Sequence, residues 1–165
     1  MDYYQIKRKP PGQTLLLIAG ILYIVAGAWG VIINSGGLIS SDYWDRVMPI
    51  NSGISWSVVY GIGLVFVLYY IFIGIMAIIN RGNLKMAYVL MILGFVDVVY
   101  EIFNVISANT IFAAGGTGIF TFGVSWFTFM YSLILPALYI FGAHRNHKEY
   151  REEQLTGTQA PPYNF

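Results

Sequence analysis

The sequence contains no cysteine, so disulfide exchange, thiolate nucleophiles and Cys-ligated metal are all excluded. Charge is scarce too. Only 10% of the 165 residues are Asp, Glu, Lys or Arg, against about 25% in an average soluble domain, whereas 57% are hydrophobic and 17% aromatic. There is no GxSxG, no HExxH, no phosphate-binding loop and no GxGxxG between a strand and a helix, and we expect no enzyme and no cofactor. With a net charge of +1 and no basic patch interleaved with aromatics, nucleic acid is not an expected partner.

Long hydrophobic runs take up most of the chain. Four of them, at 14–33, 54–79, 86–107 and 124–143, each approach or exceed the roughly 20 residues a helix needs to cross a hydrocarbon core of about 30 Å. They lack the alternation of a barrel strand, and in lipid the backbone must satisfy its own hydrogen bonds, so they are expected as helices. The expected fold is all-α: a polytopic integral membrane protein with a four-transmembrane-helix bundle at 13–143, a cytoplasmic segment at 1–12 and a disordered cytoplasmic tail at 144–165. The lipid bilayer is then the first partner.

Basic residues supply the orientation. Lys7, Arg8 and Lys9 precede the first segment, Arg81 and Lys85 lie between the second and third, Arg145, Lys148 and Arg151 follow the fourth, and Arg46 alone falls on the other side. That asymmetry predicts insertion in the cell membrane with both termini cytoplasmic. A competing reading is a cleaved signal peptide, since "KRKPPGQTLLLIAGILYIVAGAW" has a basic start, an apolar core and Ala26 and Ala28 at Ala-x-Ala spacing. The apolar run continues unbroken to Ile33, which favours a retained span.

A second pattern suggests two tandem helical hairpins forming a parallel repeat. Residues 13–80 laid over 86–147 set "GISW" at 53–56 against "GVSW" at 123–126, and Gly20 against Gly94. Hairpins entering from the same side are related by an axis along the membrane normal, one of the repeat arrangements found in transporters.

Within the third segment, "FVDVVYEIFN" places Asp97 and Glu101 among residues suited to lipid. Leu90, Gly94, Asp97, Glu101 and Asn104 recur at three and four residues and share one helix face. Asp97 falls about 16 Å along the helix from Met86, near the midplane, with Glu101 about 6 Å further out. A carboxylate at that depth costs at least ~2.5–3.5 kcal/mol on insertion scales, so this face is expected to line the bundle interior. No Lys, Arg or His occurs in any of the four segments. Two partly desolvated carboxyls one turn apart, with no cation, are expected to keep at least one proton between them.

This constellation fits a proton- or cation-binding site made of Asp97 and Glu101, with Asn104 as a neutral ligand. Its alternative is structural: both acids held by hydroxyls on neighbouring helices, with Tyr23, Tyr60, Thr128, Tyr131 and Ser132 as candidate hydrogen-bond partners. A third arrangement folds Arg46 down from its loop to meet Glu101. The functional expectation is a proton- or cation-linked transporter or channel-like protein. The alternative is a noncatalytic membrane subunit or scaffold that uses the polar stripe for helix packing. A homo-oligomer or a membrane-complex partner is compatible with both.

The remaining signals are weaker. Trp29, Tyr43, Trp44, Trp56 and Trp126 read as interfacial belt residues, and Pro136 as a kink near Ser132. The stretch "SSDYWDRVMPI" reads as a short interfacial helix capped by Ser41. His144 and His147 read as part of a juxtamembrane basic patch rather than a metal site, and "PPY" in the tail as a polyproline-type docking segment.

Overall fold

The computed structural model describes residues 9–47, 55–113 and 132–156. Thr128, Tyr131, Trp126, both copies of the hairpin-opening motif except Ser55 and Trp56, and "PPY" lie outside the described residues. Among the described residues every regular element is helical: α1 (Gln13–Ile39), α2 (Ser41–Val47), α3 (Trp56–Asn80), a 3₁₀ turn (Leu84–Met86), α4 (Ala87–Ala113) and α5 (Ile134–Thr156). Three stretches are long and apolar enough to cross a membrane: Gln13–Ile39, Trp56–Asn80 and Leu84–Asn104. The described part of the expected fourth span is not. It leaves the apolar regime at His144, and residues 124–131 are outside the described set.

The long helices differ from the expected segments mainly at their ends. α1 runs past residue 33 because its polar and glycine positions are used inside the helix. Asn34 Nδ2 donates to the Gly30 carbonyl at 2.8 Å, and Ser40 Oγ closes the last turn on the Gly36 carbonyl at 2.9 Å. α2 follows at once. Ser41 is its first residue rather than its cap, and the Ser40 carbonyl receives the Tyr43 and Trp44 amides. Arg46 stays within this helix, where its Nε donates to the Asp42 carbonyl at 3.0 Å, so it is not folded toward Glu101. Asp45 Oδ1 accepts the Trp56 amide at 2.8 Å and satisfies one of the free donors at the start of α3.

Pro136 is fully buried in the first turn of α5 and does not kink a continuous helix there. Proline cannot donate to the carbonyl four residues back and clashes with it. The chain breaks instead at Leu133, which occupies a turn, and α5 starts one residue later. At its other end α5 continues to Thr156, so residues 144–156, expected to be disordered, are helical. Arg, Lys, Glu, Gln and Leu dominate that stretch and favour a helix, and Lys148 and Glu152 pair at i,i+4 with 3.8 Å between Nζ and Oε1.

Close backbone approach sets the packing. α1 lies against α3 and α5, α4 lies against α5, and α3 meets α4 only lightly. A Cβ on Gly20 would stand 2.8 Å from the Gly74 carbonyl oxygen, and one on Gly74 would stand 2.7 Å from the Gly20 carbonyl oxygen, so each glycine is needed for the same α1–α3 contact. Gly94 plays the corresponding part between α4 and α5, where a Cβ would meet Ile140 Cγ1 at 2.6 Å. The interior is filled by Leu16, Ala19, Tyr23, Ile73, Ala77, Leu90, Tyr139 and Ala143. Large apolar side chains such as Val25, Ile32, Val65, Leu68, Val99 and Phe103 point outward, as lipid-facing helices require.

One polar contact closes an end of the assembly. Asn146, fully buried, accepts the Gly12 amide on Oδ1 at 2.7 Å and donates through Nδ2 to the Arg81 carbonyl at 2.9 Å. Gly12 lies so close to α5 that a Cβ would stand 1.8 Å from the Gly142 carbonyl oxygen. The start of α1, the α3–α4 connection and the middle of α5 therefore meet at one level, the end where the described basic residues other than Arg46 gather. Asn146→Ala strands a buried donor and a buried acceptor, at a cost of about 1–3 kcal/mol for such groups. The midpoint of thermal unfolding in detergent should fall, and an unchanged midpoint would show that the contact adds nothing.

Candidate functional site

Asp97 and Glu101 face the interior. Their exposures are 1% and 7%, against 60% for the neighbouring Phe103. Asn104 shares their face by helical angle but lies about 10 Å further along α4 than Asp97, beyond the described part of α5, and it is exposed. The two acids are thus brought together and Asn104 is not.

Tyrosines surround the pair. Tyr23 on α1 donates to Asp97 Oδ2, and Tyr70 on α3 donates to Glu101 Oε1. Tyr69, beside Tyr70 in α3, donates to the Leu93 carbonyl one turn below Asp97 at 2.8 Å. These three bonds link α4 to helices that it otherwise touches little. The rings pack on one another. Tyr23 meets Tyr70 edge-on at 5.5 Å and Tyr139 edge-on at 5.7 Å, while Tyr100 stacks on Phe66 at 3.7 Å and meets Tyr70 at 6.1 Å.

Depth follows from the helix rise. Tyr23 is about 16 Å from Gly12 along α1, Tyr70 about 16 Å from Arg81 along α3, and Asp97 about 20 Å from Leu84 along α4. In a core of about 30 Å the cluster falls near the middle. Among the described residues no Lys, Arg or His contacts either carboxyl. The cluster is closed off from bulk solvent, since Tyr23 and Tyr139 are completely buried. Each acid has a neutral hydroxyl as its donor. Among the described residues, two buried side-chain atoms in this region lack a hydrogen-bond partner: Asp97 Oδ1 and the Tyr139 hydroxyl.

Of the other candidate partners, Tyr60 lies elsewhere, with its ring against Gly37 and 5.8 Å from that of Trp56. Ser132 is half-buried just before α5. Tyr69, Tyr70, Tyr100 and Tyr139 were not among the expected partners. The signal for them was their position, because they sit in mid-span rather than at the interfacial ends where tyrosine usually gathers. His147 leans on Tyr88, with ring centroids 5.6 Å apart, and His144 lines a shallow apolar groove between α4 and α5.

No protein-family model, no curated protein and no solved structure matches this chain.

The hydrogen bonds predict a selective response to hydroxyl removal. Tyr23→Phe and Tyr70→Phe keep the rings but leave a buried carboxyl without its donor, and each should lower stability by about 0.6–1.7 kcal/mol, the range measured for side-chain bonds between membrane helices. Tyr60→Phe removes a hydroxyl that touches neither acid and should stay within about 0.5 kcal/mol of the parent. Thermal unfolding of the three variants in one detergent measures this, and equal losses in all three would refute the assignment.

Proposed function

We propose that this chain is a small multi-pass protein of the cell membrane in which Asp97 and Glu101 bind a proton or a small cation during transport. The observation that carries the reading is a mid-depth carboxyl pair whose nearest donors are neutral hydroxyls. A lysine or arginine in their place would fix the charge permanently. Tyrosine leaves the pair free to exchange a proton, or a cation of equal charge, without breaking an ion pair. No soluble-enzyme signature accompanies the pair, and the proposed activity is non-enzymatic.

The proposed architecture is a four-helix transmembrane bundle of two tandem hairpins, α1 with α3 and α4 with α5. Gly20 and Gly94, equivalent in the repeat, each face the second helix of their own hairpin. Both termini are placed in the cytoplasm by the charge asymmetry. A reporter fused after Phe165 should then be cytoplasmic and one inserted near Ser52 external, and finding both on one side would overturn the hairpin arrangement.

The second reading is a noncatalytic subunit or scaffold, alone or as a homo-oligomer. It is favoured by a specific observation: the tyrosine hydroxyls bind α4 to α1 and α3, where direct helix contact is slight. Replacing Asp97 with Asn and Glu101 with Gln separates the two. The amides keep size and hydrogen bonding but do not titrate, so a carrier should lose proton- or cation-coupled flux in proteoliposomes while still assembling. Wild-type flux in the double variant would leave the scaffold reading.

A further inference from the structure

Among the described residues Asp97 Oδ1 and the Tyr139 hydroxyl have no hydrogen-bond partner, although both residues are almost wholly buried. An unmet buried polar atom costs roughly 1–3 kcal/mol, so two in one small region call for a common explanation. Several observations place them in the same space. Tyr139 lies over Gly94, one turn below Asp97, where a glycine Cβ would stand 3.0 Å from Tyr139 Cδ1. Its ring meets the edge of Tyr23, whose hydroxyl already binds the other oxygen of Asp97.

We infer that Asp97 Oδ1 and the Tyr139 hydroxyl share one buried water, and that this water is the hydrogen-bond partner of Asp97 Oδ1 in both protonation states of the acid. The inference rests on the proton-linked reading above and names the atom that carries the proton. Buried waters typically make about three hydrogen bonds, and this site offers a carboxyl oxygen and a tyrosine hydroxyl that can both donate and accept. Tyr139 donates to the water or accepts from it. When Asp97 is protonated at Oδ1 its hydroxyl donates to the water, and when Asp97 is ionised the water donates back, so both states of the acid are met without rotation of a buried side chain. Among the described residues, the titratable groups around Asp97 are Tyr23 from α1, Tyr69 and Tyr70 from α3, Tyr100 and Glu101 on α4 itself and Tyr139 from α5. None of them is a cation, so nothing among them competes with the proton for the free oxygen. Glu101 differs, because no oxygen of its carboxyl is left buried and unpartnered. Tyr139 is a positioning residue on this account: it holds the water rather than the proton.

Infrared spectroscopy of the full chain in lipid tests this. At neutral pH the protonated carboxyl C=O band should disappear in Asp97→Asn, persist in Glu101→Gln and change frequency in Tyr139→Phe, which keeps the ring and removes only the hydroxyl. A second measurement needs no variant at Tyr139. Exchange of H₂¹⁶O for H₂¹⁸O should displace an O–H stretch of a tightly held water in the wild type, and that band should be absent in Asp97→Asn. A carboxyl band that survives Asp97→Asn, or no isotope-sensitive water band, overturns the inference. Failure here leaves the proposed function distinguishable. If the acid double variant stops flux while the wild type has no such water, the pair still transports and only the water site is wrong.

Discussion

A carboxyl group held in the middle of a hydrocarbon layer must find a donor, keep a proton or draw in a counter-ion, and the interior of this protein is arranged around that requirement. Asp97 and Glu101 are supplied with donors from two different helices, Tyr23 on α1 and Tyr70 on α3. The choice of tyrosine matters physically. Its ring fills apolar volume and its single hydroxyl reaches the acid, so the same residue packs the core and solvates the charge-bearing group. Serine or threonine would satisfy the acid but leave space around it.

The rest of the bundle is consistent with that interior. α1 and α3 approach through Gly20 and Gly74, near enough that neither tolerates a side chain without something shifting. Such contact suits a setting where burial of apolar surface between helices gives little net drive, because lipid is as apolar as the interior. α3 and α4 lack this intimacy and are joined by hydroxyl bonds instead. At the charged end, Asn146 closes the assembly by serving two backbone groups left over by helix termini, the Gly12 amide and the Arg81 carbonyl. Polar side chains are few here, and those that are buried hold helices together.

Much of this was legible in the residues. Continuous apolar runs announced the helices, and spacing along the third run put Asp97 and Glu101 on one interior face. Local composition alone misjudged the end of α5. Its charged residues read as a disordered tail, yet they have good helical propensity, and the tertiary anchor at Asn146 holds the helix beyond the apolar stretch. Asn104 is exposed although it shares the angle of the acids, because periodicity gives the angle of a residue about the helix but not which neighbours cover it. Tyr23 stands among the partners the sequence suggests, whereas Tyr69, Tyr70 and Tyr139 do not, because belt placement is the usual role of tyrosine. Pairing Tyr23 with Asp97, 74 positions away, needs the relative depth and rotation of two helices.

Scaffold and carrier make different demands on a buried acid. A scaffold gains most from a partner set that saturates every lone pair, because any atom left over is a cost with no return in stability. Asparagine or glutamine would meet that demand without the risk of ionisation. A carrier needs the opposite, a site held in place by some of its atoms while another stays open to exchange. Asp97 has that division: Oδ2 is fixed by Tyr23, and Oδ1 has no protein partner among the described residues. The division also explains why two carboxyls are useful where one would serve for packing. Glu101 lies one turn away, about 6 Å along the helix, and like charges at that spacing repel strongly in a medium of low dielectric. That repulsion disfavours charge on both acids at once, and the proposed exchange of a proton or cation would draw on that imbalance.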